Sequence, residues 1–224
     1  MKFENAKVFN FEGAIHGMRN PMNSWDKNDS YWDVAEHTSQ YIIGENDLNL
    51  AQRLIKGGSE HRKFLRQIMV SVDITAPLYW WKEFDTYKVG TTANSTSTMH
   101  KIQSQPITLD CFEIDDLSEN LMWTCEYDLP WGIQSTIKPF IQSLEDLRKM
   151  YLKTKDKRYW KELIRWLPAS WLQTRTITMN YENIRNMYFQ RKNHKLTEWS
   201  KSFIEWVESL PYAKELILYT GENN

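Results

Sequence analysis

Ile68-Met69-Val70-Ser71-Val72-Asp73-Ile74 is apolar at every even position and polar at Ser71 and Asp73. That is the two-residue period of a β-strand with one buried face. Ala76-Pro77 follows, and Leu78-Tyr79-Trp80-Trp81-Lys82-Glu83-Phe84 then reads as a short helix with its proline at the first turn. Upstream, Gly13, Gly17, Asn20, Pro21, Asn23 and Ser24 are turn formers. With Trp25 and Trp32 behind them, they make residues 1–30 read as an ordered binding loop. Tyr31 to Ile43 is spaced as a helix. A second helix begins near Asn46 or Asp47, either of which can cap it, carries Leu48, Ala51, Leu54 and Ile55 on one face, and stops at Gly57-Gly58. Glu60-His61-Arg62 reads as a further helix start.

Downstream, Val89 to His100 is crowded with small hydroxyl residues and reads as an irregular loop. Ile133, Ile137, Phe140, Ile141, Leu144, Leu147 and Tyr151 fall three or four apart, an apolar stripe whose Pro139 belongs in the first turn. Trp160, Leu163, Ile164 and Leu167 make a short helix ended by Pro168. Another runs from about Asn180 to Arg191, and a last one aligns Trp199, Phe203, Trp206, Val207 and Leu210. The class expected is α+β: one helix-rich domain over residues 1–224, with one small antiparallel or mixed sheet.

Composition narrows the function classes. Lys and Arg number 28 against 29 Asp and Glu, so no general field draws nucleic acid or a membrane surface. No apolar run approaches the roughly 20 residues that span a bilayer. The start, Met1-Lys2-Phe3-Glu4-Asn5, lacks a signal-peptide pattern, and Cys111 and Cys125 form neither a disulfide framework nor a metal motif. A cytoplasmic protein with free thiols and no metal is the expectation. Aromatic residues are 14% of the chain, which suits an aromatic core, subunit interfaces or pockets for flat rings.

Candidate binding groups are few. Asn180, Ile184, Met187 and Arg191 recur at three and four, so Asn180 and Arg191 share a helix side with two apolar residues. Polar residues so placed either frame a pocket or cap the helix and wet its end. Arginine suits two-point recognition of a phosphate or a pyrimidine edge. The Thr91–Thr98 hydroxyls suit a phosphate, or simply a surface loop. His100 and His194 have no paired carboxylate and read as structural.

Two segments resemble the flavin-dependent thymidylate synthases. From Gly58 to His100, His61 stands at a family Gly-His element, Ile68–Ile74 at its strand, and Ala76-Pro77 at its Ala-Pro. Thr86-Tyr87-Lys88 occupies the place of the family's Arg-His-Arg triad. With one inserted residue, Asn94 and Ser97 fall on a family Asn and Ser, and Met99-His100 replace its Arg-Tyr. From Leu167 to Trp199 no gap is needed: Leu167-Pro168, Asn180, Asn186 and Arg191 match in order, and Arg175 lies one position from a phosphate-holding Arg. The two segments cover about a third of the chain.

The resemblance implies an FAD-dependent reductive methylation of dUMP to dTMP, with methylenetetrahydrofolate as carbon donor and NADPH as reductant, in a homotetramer. It assigns Arg191 to hold and polarise the pyrimidine, Ser97 and Arg175 to the nucleotide, and Lys88, Asn94, Asn180, Asn186, Gln190 and His61 to the flavin. Trp80, Trp81 and Tyr87 would flank aromatic rings. Since the triad is rewritten, a working synthase, an enzyme of a related nucleotide, and a non-catalytic nucleotide- or flavin-binding homologue all remain open.

Overall fold

The computed structural model describes residues 1–35, 38–115 and 136–221; Cys125 and Ile133 lie outside them. The expected strand is present as β4 (Met69–Pro77), and Pro77 caps α3 (Leu78–Phe84) as the sequence predicts. Strand β4 belongs to a four-stranded sheet of order β1-β4-β6-β5, with β1 over Lys2–Phe9, β5 over Thr92–Ser95 and β6 over Leu172–Asn180. Strands β4 and β6 run antiparallel. The Thr176 hydroxyl donates to Asp73 at 2.5 Å and the Tyr181 N–H to the Ile68 carbonyl at 3.0 Å, one index rising as the other falls. A separate two-stranded sheet makes the count of sheets larger than expected. The class is α+β and helix-rich.

The described residues group into two compact units. The first comprises Met1–Lys2, Ile74–Thr86 and Asn94–Arg175. Its α5 (Lys138–Thr154) has Pro139 in the first turn, where a missing N–H costs nothing, and packs on α6 (Lys157–Arg165). Between them lies a core of Ile102, Ile107, Phe112, Ile141, Leu144 and Leu163. Arg148 Nε donates to Glu145 at 2.7 Å in this core, and the guanidinium holds the Glu145 carboxyl below its ordinary range. Trp80 and Trp81 are core side chains and not ring-flanking surfaces. Trp80 stacks on Phe84 at 5.2 Å, Trp81 meets both rings edge-on at 4.9 and 5.4 Å, and both tryptophans are almost fully buried.

The second unit comprises Phe3–Asp73, Tyr87–Ala93 and Thr176–Asn224. Here the opening is a loop only in part: residues 2–19 fold as β1 and α1 (Phe11–Arg19), and Asn20, Pro21, Asn23 and Ser24 lie in the short turns that follow. The expected Tyr31–Ile43 helix is instead a hairpin, β2 (Tyr31–Ala35) and β3 (Thr38–Ile42), antiparallel with Trp32 opposite Tyr41. Its aromatic and β-branched residues fit both periods, and cross-strand pairing decides for the sheet.

Helix α2 (Glu45–Lys56) starts one residue before the expected caps, with Gly44 at the N-cap. The Asp29 side chain reaches in from the preceding loop to accept the Asn46 and Asp47 N–H groups at 2.8 and 3.0 Å. Burial opposes the charge on Asp29, yet these bonds still hold its carboxyl below the ordinary range. Asp47, freed from capping, is fully buried on Arg19. The Val89–His100 loop also acquires structure: β5, then α4 (Thr98–Lys101), capped by Ser97, whose hydroxyl accepts the His100 N–H at 3.1 Å.

Candidate functional site

Helix α7 (Tyr181–Arg191), with its cap, carries Asn180, Asn186, Gln190 and Arg191 of the residues singled out in the sequence. Asn180 caps it, accepting the Asn183 N–H at 2.9 Å, while the Asn183 side chain accepts the Asn180 N–H at 3.3 Å. Tyr181, Ile184 and Met187 are fully buried and fix the rotation of the helix. Burial drives the Tyr181 phenol well above its usual range, and its O–H donates to the Pro211 carbonyl at 2.5 Å. Arg185 anchors the same side by donating to the Ile217 carbonyl. Burial, with Arg62 adding repulsion and Glu182 opposing, lowers the Arg185 guanidinium to about 10.

With that side buried, the helical repeat leaves Asn183, Asn186 and Gln190 on neighbouring positions of another, while the capping Asn180, 8% exposed, stands at the start of the buried side. Every side chain in this strip is a carboxamide, both donor and acceptor and never charged. The segment Tyr87–Gly90 follows the strip. At the C-terminal end of α7 the Tyr87 hydroxyl donates to Gln190 Oε1 at 2.9 Å and accepts from Arg191 Nε at 2.8 Å. At the other end Asn183 Nδ2 donates to the Val89 carbonyl at 2.8 Å. Gly90 has φ +78°, and a side chain there would meet the Asn183 and Asn180 amides at 2.9 and 3.2 Å. Only glycine lets the loop close so tightly on the helix.

Arg191 lies over two aromatic faces, 4.8 Å from the Trp199 ring and 5.5 Å from the Tyr87 ring. The guanidinium is thereby held by cation–π contact as well as by the phenol. It is neither a bare cap nor a solvated arginine. Lys88 lies between Tyr87 and Val89 on the loop, exposed, as are Asn186 and Gln190 on the helix.

The remaining expected residues lie elsewhere. His61 is exposed and lines another cleft of the second unit with Met18, Leu50, Leu54 and Phe64, none of them from α7 or the 87–90 loop. Arg175, Asn94 and Ser97 belong to the first unit. There Arg175 covers the Trp81 ring at 4.3 Å and pairs with Asp85 at 2.8 Å, while Asn94 is exposed on β5. Asn183 and Gly90 were missed in the sequence, although Asn180-x-x-Asn183 has capping-box spacing. Among the described residues, no cluster is placed to hold a metal ion, and no helix is long and apolar enough to cross a membrane.

No protein-family model and no curated protein matches the sequence. The fold, in contrast, is similar to crystal structures of the flavin-dependent thymidylate synthase ThyX from Helicobacter pylori in complex with FAD and dUMP. One aligns over 98% of this chain and 98% of its own, with TM-score 0.66 at 15% identity. A second, at 2.31 Å resolution, aligns over 99% and 100%, with TM-score 0.65 at 13% identity. At such identity the likeness speaks for architecture, and the chain has the fold of the flavin-dependent thymidylate synthases.

Proposed function

We propose that the whole chain works as one flavoprotein domain of thymidylate synthase type. Its substrate is dUMP or a related pyrimidine nucleotide, its carbon donor methylenetetrahydrofolate and its reductant NADPH. The observation that carries this reading is the gathering of Lys88, Asn180, Asn186, Gln190 and Arg191 along one strip of α7 and the loop beside it. A carboxamide strip beside a glycine-closed loop fits a flat heterocycle whose edge alternates donors and acceptors. FAD, when bound, supplies the hydride chemistry. The chain's residues bind and orient: carboxamides read ring edges, Lys88 adds positive charge, and Arg191 polarises a pyrimidine carbonyl. Tyr87, at the middle of the rewritten triad, aims Arg191 through its phenol.

Asn186→Ala tests the strip. Removing one partner of a hydrogen bond to a ligand should weaken FAD binding roughly tenfold with the fold unchanged. Flavin absorbance after purification, and FAD titration of the stripped protein, give the answer. Full flavin occupancy in the variant removes Asn186 from the site, and no flavin binding by the parent chain defeats the reading.

Assembly offers a second check. The homotetramer expected from the resemblance should appear by light scattering at micromolar concentration, and a monomer would count heavily against this function. A non-catalytic nucleotide-binding role is the second reading. It is favoured by the engagement of Arg191 with Tyr87 and Trp199, which gives the arginine a structural task as well.

A further inference from the structure

A second cleft lies wholly within the second unit, away from any residue used so far in the proposed function. It has a volume of about 720 Å³, and Phe11, Glu12, His16, Tyr31, Trp32 and Tyr41 line it. Two of its aromatic side chains stand open to solvent, Tyr31 at 58% and Trp32 at 49% exposure. Exposed rings of this size beside a cavity are uncommon on a surface unless something covers them.

The polar groups of the lining are biased. The Trp32 indole N–H donates to Glu12 Oε2 at 3.0 Å, and the ring packs edge-on against Tyr41 at 5.3 Å. Ser30 sends both its N–H and its hydroxyl to the buried Asp47 carboxylate, at 3.1 and 2.6 Å. These donors of the lining are thus engaged inside the protein. No lysine or arginine lines the cleft; Glu12 is its carboxylate and His16 its basic side chain, the ring stacked on Trp25 at 6.1 Å. A cation finds a carboxylate and the electron-rich faces of two exposed rings.

We propose that this cleft binds a small planar organic cation of the amidinium or guanidinium class, its N–H edge on Glu12 and its face on Tyr31 and Trp32. The two hydrogens of such an edge match a carboxylate, and Glu12 keeps the Trp32 N–H on one oxygen while it does so. This site is separate from the α7 strip, so it stands or falls apart from the nucleotide reading.

Three probes of one shape and different charge test it: benzamidine hydrochloride, benzamide and sodium benzoate, each titrated into the full chain by calorimetry. Benzamidinium should bind saturably and roughly tenfold or more tighter than benzamide, as a charge-assisted hydrogen bond predicts, with no binding of benzoate. Glu12→Gln still accepts from Trp32 and should reduce benzamidinium to the benzamide level. Tyr31→Ala removes an exposed ring, leaves the fold intact by circular dichroism, and should weaken benzamidinium severalfold. Equal binding of the three probes overturns the proposal, and so does an affinity unchanged in both variants.

Discussion

Arg191→Lys is expected to lower kcat/KM for dUMP by roughly a hundredfold or more, the loss of about two charged hydrogen bonds at 1.5–3 kcal/mol each, while flavin content and fold persist. The substitution keeps the charge and removes the planar fork. A lysine ammonium cannot lie flat over Trp199 and donate in plane to the Tyr87 phenol, as the guanidinium does at 4.8 and 2.8 Å. Steady-state kinetics with dUMP measure the effect directly, and growth of a thymidine-requiring bacterium gives the cellular counterpart. Equal growth with parent and variant removes Arg191 from catalysis while supporting a synthase. Growth with neither favours the non-catalytic reading or an altered substrate.

The largest effect on stability is expected at Asp47. Its carboxylate is fully buried and accepts from Arg19 Nε at 2.6 Å, from the Asp29 and Ser30 N–H groups at 3.1 Å, and from the Ser30 hydroxyl at 2.6 Å. Asp47→Ala leaves the Arg19 guanidinium, itself 4% exposed, without its buried counter-charge. Breaking such a pair from one side costs about 3–5 kcal/mol. For a chain of this size that corresponds to a fall in Tm of roughly 6–20 °C. Replacing both partners, Arg19→Met with Asp47→Leu, should recover part of the loss, since no charge is then stranded. Thermal unfolding followed by circular dichroism decides. A single variant within about 1 kcal/mol of the parent would show that water reaches the pair.

The difference between Asp47 as a helix cap and Asp47 as a buried anchor marks how far sequence carries. Strand β4 and the helix after it were legible because their periods are local and Pro77 punctuates them. Helix α7 was legible for the same reason, and with it the shared side of Asn180 and Arg191. The hairpin was not, because Tyr31, Val34 and Ala35 fit helical spacing and β2 is exposed along its length, so no buried face marks an alternation. Only the opposing strand, with Trp32 against Tyr41, settles the matter. Strand β6 escaped notice since its buried Ile177 and Met179 are interleaved with threonines that also suit a loop. In the candidate site, Lys88, Gln190 and Arg191 are named by resemblance. The phenol linking the last two depends on a contact across about a hundred residues of chain, which no local pattern encodes.

The carboxamide strip on α7 carries no net charge, whereas Arg191 and Lys88 beside it do. Ions in solution screen the second kind of group and leave the first almost untouched. In the proposed function, a ligand edge along Asn183, Asn186 and Gln190 is held by forces that ignore ionic strength and pH through the physiological range, and an anionic end resting on Lys88 and Arg191 loosens as salt rises. On that reading the helix divides its grip into a constant part and a tunable part, and salt sets only the second.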